Sequence, residues 1–526
     1  MKRIRCEKRD AKRSAITATR AGERERERER AHRKREIQTE RERELDFYTS
    51  PPSGSVWKKR LLLLLLRTSD FLGKSVRRET VTRAAGKMMG AAATRESERE
   101  EKNASLERAA VNKVVNAFRK YRTSSEREIA RRERNCWKAL SRMQRKLRQG
   151  KRTYGEEQME QLKRAYENHR ERSRESVEKN QRFFDALLGT FMSHGEQVPP
   201  HLRVTESFDS VPVGERPPAT PAGEDAEKAR YVLKNLVRDW SEEGREEREK
   251  SHDVLVRHLR DVVFKEELCT IDKMCERMNP EDIERPRVLV PGAGLGRLVY
   301  EFAKAGFETE GNEFSYYMLF GASFLLNCCS EKRPFEIVPY WHSPLNHLSP
   351  EDQYRSIPVP DESPGDHMDV FKPGSSMSMC AGDFCEVYGS PEYQSHFDAV
   401  ACCFFLDTAK NIFDYLETIR FCLRKGGTLT SIGPLLWHWV EHSDTLVFTK
   451  NENENEDERE EEEEEEEEED ISIEVSLEDL VAFAERLGFR LDVKTHPLSC
   501  PYATDRLSMH RTVYDCAFLS FTLVDK

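Results

Sequence analysis

The sequence predicts an α/β protein whose seven-stranded, mostly parallel sheet occupies residues 281–526. Three observations predict it. Val288-Leu289-Val290 is a short apolar run that passes at once into Gly292, Gly294 and Gly296, and then into Leu298, Val299, Phe302 and Ala303 at helical spacing. That is the strand, turn and first helix of a βαβ unit. Apolar runs and helical stretches then alternate to the C-terminus, as a doubly wound sheet requires. Before residue 281 the periodicity is helical only, which sets a helical N-terminal domain at residues 108–280 ahead of the sheet.

Residues 1–107 form a low-complexity extension. Residues 24–30 alternate Glu and Arg, and the run 61–66 is leucine. Such composition predicts disorder. The leucine run is far too short to cross a bilayer and too deep in the chain for a signal peptide. A basic arm for nucleic acid would need cations without alternating acids, and aromatic rings between them for stacking; both are missing, which argues against a nucleic-acid partner. Met88 and Met89 offer a second start of translation.

From Arg108 the helical pattern is clear. Val111, Val114, Val115, Ala117 and Phe118 mark one face, and Trp137, Leu140, Met143 and Leu147 another. Helix formers continue over residues 158–191. A linker rich in Pro, Gly and Ser follows at 199–225. Residues 226–278 are helical again, with Leu233, Leu236, Val237 and Trp240 facing inward. On this pattern alone Arg238 is a surface ion-pairing residue.

The alternation then predicts strands at residues 288–290, 307–310, near 335–339, 397–405, 428–432, 489–493 and 514–522, the last pair giving the one reversed strand. Helices are expected near residues 296–305, and at 315–327, 409–423 and 476–487. Residues 340–379 read as a long aperiodic insert. Residues 450–471 are an acidic insert, with unbroken glutamate from 460 to 469, that cannot pack and is expected to stay solvated.

Charged residues are 35% of the chain and the net charge is −10, an average over a basic start and an acidic insert that by itself implies no partner. The 13 cysteines include no C-x-x-C pair and no spacing with His suited to zinc, so no metal is expected. Cys328-Cys329 and Cys402-Cys403 read as small buried hydrophobes. Reduced cysteines imply a cytoplasmic compartment, or a nuclear one.

In an open α/β sheet ligands sit beyond the carboxyl ends of the strands. Those ends carry Gly292, Gly294 and Gly296, then Glu313, then Asp383-Phe384, then Cys403 to Asp407, and then His438. The glycines run G-x-G-x-G rather than as a dinucleotide-binding G-x-G-x-x-G. An acid after the second strand suits ribose hydroxyls, and an Asp-aromatic pair after the third suits adenine. Pro291 stands before the first glycine, where many Rossmann-like methyltransferases carry an acid.

Together, Pro291-Gly-Ala-Gly-Leu-Gly-Arg297, Gly311-Asn-Glu313, Ala381-Gly-Asp-Phe384, Cys403-Phe-Phe-Leu-Asp407, Gly433-Pro-Leu-Leu-Trp-His438 and Val237-Arg-Asp-Trp240 resemble the carnosine N-methyltransferase family, class I methyltransferases with a Rossmann-like sheet. The resemblance covers roughly residue 111 to the C-terminus, broken by the acidic insert. It implies S-adenosyl-L-methionine as cofactor, held by Asn235, Arg238, Gly292, Gly294, Gly296, Glu313, Asp383, Phe384 and Cys403. Asn235 stands where the family usually has Gln. It implies carnosine (β-alanyl-L-histidine) as substrate, methylated at the imidazole Nπ to give anserine, with Asp407, His438 and Tyr514 as substrate-binding and catalytic residues. It also implies a homodimer through the helical region. The residues alone leave plainer readings open: Asp407 as the N-cap of the following helix, His438 as a packed histidine, Tyr514 as a strand residue. A histidine methyltransferase for peptides or proteins, or a non-catalytic scaffold, are the rival functions.

Overall fold

The structure, a computed structural model, describes residues 86–150, 155–193, 211–275, 282–329, 331–343, 346–364, 370–439 and 473–525. The leucine run, most of the low-complexity extension and the acidic insert lie outside the described residues.

Three helices lead the chain: α1 (Gly86–Arg119), α2 (Tyr121–Arg148) and α3 (Glu156–Ser193). Helix α1 begins well ahead of the apolar periodicity that marks it in the sequence. Its face of Val111, Val114, Val115 and Phe118 is buried against Phe183, Phe184 and Leu187 of α3, and Phe118 stacks on Phe184 with ring centroids 4.7 Å apart. The second predicted face is only half realised, because Leu140 is buried while Trp137 is 42% exposed. The Tyr121 hydroxyl accepts hydrogen bonds from Trp341 Nε1 (2.8 Å) and Asn180 Nδ2 (3.0 Å) and so ties α2 and α3 to the segment around Trp341.

Among the described residues, four more α-helices lie between α3 and the sheet: α4 (Gly223–Trp240), α5 (Arg245–Lys250), α6 (His252–His258) and α7 (Lys265–Met274). On α4, Leu233, Leu236, Val237 and Trp240 are buried as their spacing predicts.

The sheet comprises β1 (Arg287–Pro291), β2 (Glu308–Glu313), β5 (Ser376–Ala381), β6 (Phe397–Cys403), β7 (Leu423–Gly433), β8 (Phe489–Pro501) and β9 (Val513–Leu523). Their spatial order is β5-β2-β1-β6-β7-β9-β8. Strand β9 runs antiparallel to both β7 and β8, and the other pairings are parallel. Between them lie α8 (Arg297–Ala305), α9 (Tyr316–Asn327), α10 (Pro350–Gln353), α11 (Phe384–Tyr388), α12 (Ile412–Cys422) and α13 (Leu477–Arg486). The chain builds outward from β1 to β2 and β5, then crosses to β6 on the other side of β1. Ligand space opens at that reversal.

The third strand of the sheet is not where the sequence places it. Residues 335–337 are β3 (Phe335–Ile337), which pairs antiparallel with β4 (Ile357–Val359) in a small separate sheet. The third sheet strand is β5, inside the stretch read as an aperiodic insert. Its sequence, Ser-Met-Ser-Met-Cys-Ala, contains no β-branched or aromatic residue to signal a strand. The helix expected at 409–423 also starts later: Asn411 caps α12, its side chain accepting from the Phe413 amide at 3.0 Å. Cys329, Cys402 and Cys403 are buried as expected, whereas Cys328 is exposed.

Candidate active site at the carboxyl ends of the strands

Strand β1 ends at Pro291, and the loop after it carries Gly292, Gly294 and Gly296 at φ of +65°, +55° and +78°, a left-handed conformation that favours glycine. Two of them differ in what surrounds them. A Cβ on Gly292 would lie 2.7 Å from Phe405 Cδ2, whereas one on Gly294 would meet only Asp239 Oδ2, at 3.8 Å. The loop is packed below Gly292 and open above Gly294.

Glu313 is the last residue of β2 and is buried. Its Oε2 accepts from the Gly294 amide (2.8 Å), and its Oε1 from the amides of Phe314 (2.9 Å) and Ser315 (2.8 Å). Burial pushes its pKa up, partly offset by those amides. The carboxylate therefore bolts the glycine loop to the start of α9. Asp383 caps α11: its Oδ1 accepts from the amides of Cys385 (2.9 Å) and Glu386 (3.0 Å). The Phe384 ring is buried, edge-on to Phe405 and Tyr415, each at 5.3 Å. The ring is part of the core.

Helix α4 supplies the wall facing the loop. The Trp240 indole Nε1 donates to the Leu295 carbonyl at 3.0 Å, inside the glycine loop. Arg297, at the start of α8, lays its guanidinium 4.8 Å from the Trp240 ring and donates to Asp361 (2.6 Å), which also accepts from Arg248 (2.7 Å). Asn235 is buried, its Nδ2 donating to the Tyr231 carbonyl at 3.0 Å.

Arg238 is not the surface residue that its sequence pattern predicts. Its side chain is 11% exposed, between Asp239 (3.5 Å) and Glu247 (3.3 Å). Burial opposes its charge, but those carboxylates hold the guanidinium firmly protonated. It lies over two rings, Tyr502 at 4.9 Å and Phe404 at 5.7 Å.

Phe404 follows Cys403, the end of β6, and has φ of +53°, a strained value for a bulky residue and one that clusters at functional sites. The Phe404 and Tyr502 rings are 4.7 Å apart, and Tyr514 lies within 6.3 Å of Phe404 and 6.1 Å of Tyr502. The two rings thus connect Arg238 on one side with Tyr514 on the other. Burial raises the Cys403 thiol to about 12, so it packs as a neutral group.

Asp407 is no helix cap. It sits in a short turn, Leu406–Thr408, is 3% exposed, and its Oδ2 accepts from the Leu436 amide at 3.0 Å. The Asp407 carbonyl accepts from the His438 amide (3.3 Å), so the segment after β7 is laced to the end of β6. Burial pushes the Asp407 carboxyl up to about 7 and the His438 imidazole down to about 4, which makes His438 neutral at physiological pH. The structure thus joins Asp407 to His438 and Tyr514 to the rings beside Cys403.

Asp239, Phe404 and Tyr502, all packed against Arg238, are residues of this candidate site that the sequence reading misses. The first two lie inside quoted motifs. Tyr502 carries no signal, because Lys494, Thr495, His496 and Pro497 interrupt the apolar pattern and the sequence ends that strand at residue 493, whereas β8 runs to Pro501.

A family model described as carnosine N-methyltransferase matches residues 217–525. The chain belongs to the carnosine N-methyltransferase family. Carnosine N-methyltransferase of Mus musculus is 32% identical over 411 residues, covering 78% of this chain and 85% of the mouse protein. The Schizosaccharomyces pombe carnosine N-methyltransferase is 36% identical over 288 residues, 55% of this chain and 68% of the yeast protein. In Drosophila melanogaster, carnosine N-methyltransferase unmet is 34% identical over 293 residues, 55% of this chain and 54% of the fly protein.

The family is S-adenosylmethionine-dependent, and the site fits that cofactor. A Cβ on Gly294 would meet no atom beyond its chain neighbours closer than 3.8 Å, and the buried Arg238 Nε and Asp239 Oδ1 have no hydrogen-bond partner. Among the described residues no cluster of His, Cys, Asp and Glu could hold a metal, and no helix is long and apolar enough to cross a membrane.

Proposed function

We propose that this chain methylates the imidazole Nπ of carnosine, giving anserine, and accepts related histidine-containing di- and tripeptides. The observation that carries the reading is Asp407, a buried carboxylate just beyond Cys403, with one oxygen held by the Leu436 amide and its backbone tied to His438.

S-adenosylmethionine supplies an electrophilic methyl on its sulfonium. Gly292, Gly294, Gly296, Asn235, Arg238, Glu313, Asp383, Phe384 and Cys403 would hold that cofactor. What remains is orientation, because displacement at a methyl group is in-line and needs a neutral nucleophile. A neutral imidazole has one N–H and one lone pair. Ionised Asp407 accepts the Nτ–H, which leaves the Nπ lone pair to attack, and it then faces the imidazolium that forms. His438, kept neutral by burial, and Tyr514 position the ring and the dipeptide.

On the same footing, Trp137 and Leu162, exposed on α2 and α3, support pairing of two copies through the helical region.

The test is transfer of labelled methyl from S-adenosylmethionine to carnosine, beside a histidine-containing protein extract. Product methylated at Nπ of carnosine is expected. Label in protein alone would replace the substrate, and no transfer with cofactor bound would replace the function by a scaffold.

A further inference from the structure

An amino-acid ligand carries an ammonium as well as a carboxylate. The loop after β1 brings no carboxylate of its own, since Pro291 precedes Gly292. We infer that Asp239 binds the ammonium of the cofactor's amino-acid end while Arg238 takes its carboxylate. The inference rests on the cofactor site proposed above and assigns a residue to it that the motifs leave out.

The geometry carries it. Asp239 sits in the last turn of α4 and is 4% exposed. Apart from Gly294 itself and its two chain neighbours, its Oδ2 is the one atom within 4 Å of where a Gly294 side chain would begin, at 3.8 Å. The carboxylate therefore borders the open space above the loop. It takes a hydrogen bond from the Leu295 amide, while Oδ1, buried, has no hydrogen-bond partner. Arg238 Nε is 3.5 Å from Asp239 Oδ1 and 3.3 Å from Glu247 Oε1, ion pairs without hydrogen-bond geometry, and is itself buried with no hydrogen-bond partner. A buried acceptor and a buried donor left unsatisfied side by side are costly in an empty fold. A zwitterion resolves both: its ammonium gives Oδ1 a donor, and its carboxylate gives Nε an acceptor. The end of α4 assists, because the negative pole of a helix favours a cation there.

The plain alternative is that Asp239 only balances the buried guanidinium groups of Arg238, Arg248 and Arg297, each of which acts on its charge. Ligand analogues separate the two roles. S-adenosylhomocysteine has the amino-acid end, its deamino analogue lacks the ammonium, and 5′-methylthioadenosine lacks the whole end. By titration calorimetry on the full chain, the unaltered protein should bind the deamino analogue about 10- to 100-fold more weakly than S-adenosylhomocysteine, the worth of one charge-assisted hydrogen bond. Asp239→Asn should lose the same factor for S-adenosylhomocysteine and nothing for 5′-methylthioadenosine. Equal losses for both ligands, or unchanged binding of both, would overturn the inference. So would equal binding of the parent and deamino ligands by the unaltered protein, an arm that needs no variant to fold. Failure of the unaltered protein to bind any of these ligands would overturn the cofactor site itself, and the inference with it.

Discussion

The indole nitrogen of Trp240 donates to the Leu295 carbonyl at 3.0 Å, so the helix carrying Asn235, Arg238 and Asp239 and the loop carrying the three glycines form one body. Trp240→Phe keeps a ring in the pocket but removes the N–H, leaving a buried carbonyl unpaired. The expected cost is about 1–3 kcal/mol of stability, together with weaker S-adenosylmethionine binding as the loop loosens. Denaturant unfolding and a cofactor titration read both, and a variant unchanged in affinity would separate helix from loop.

The glycines predict an ordering. Gly294→Ala meets no protein atom closer than 3.8 Å, so it should cost only the left-handed backbone strain, about 1–2 kcal/mol. Its methyl nevertheless enters the space meant for ligand, and cofactor affinity should fall by more than about tenfold, or 1.4 kcal/mol. Gly292→Ala drives a methyl to 2.7 Å from Phe405, which is stacked on Tyr415 at 4.7 Å and cannot yield freely. It should therefore be the less stable of the two. Melting temperatures in the reverse order would contradict the packing described here.

Much of this was legible in the chain. Val288-Leu289-Val290 before the glycines located the core of the sheet, since a buried parallel strand is written as continuous apolar residues. The strand-end rule located Glu313, Asp383 and Asp407 without any side-chain geometry. What stayed hidden was hidden for physical reasons. Strand β5 is built from Ser, Met, Cys and Ala, which have no strand signature, and the short β-branched stretch near Ile337 took its place. Arg238 looked exposed because sequence does not show that Tyr502, some 260 residues later, covers it. Burial in such a case comes from tertiary contacts, to which helical periodicity is blind.

Tyr502 makes a graded prediction. Tyr502→Phe loses the hydroxyl that lies 3.1 Å from the Tyr231 hydroxyl but keeps the ring under Arg238. Tyr502→Ala loses the ring, and with it a buried cation–π contact of about 1–2 kcal/mol. KM for S-adenosylmethionine should rise several-fold more in the alanine variant than in the phenylalanine one. Equal effects would assign the role to the hydroxyl.

Asp407 ties activity and stability to pH in opposite directions. Its carboxyl lies at about 7 in the folded protein, raised by burial, against about 3.9 when unfolded. Folding therefore takes up a proton between those values. Stability from this group is fully present below pH 4 and is lost as pH climbs through about 7, by roughly 2–4 kcal/mol at most. Activity runs the other way, because only the ionised carboxylate can accept the imidazole N–H. The rate at saturating carnosine should rise with pH through about 7, and His438, at about 4, adds no second transition in that range. Asp407→Asn keeps an oxygen for the Leu436 amide but carries no charge. It should cut kcat by about 100-fold or more, match the parent in stability at pH 4 and exceed it at pH 8. Thermal melts at the two pH values, read beside single-turnover rates, check all three. A variant that was both fully active and no more stable at pH 8 would return Asp407 to a purely structural part, since neither its charge nor its burial would then be felt.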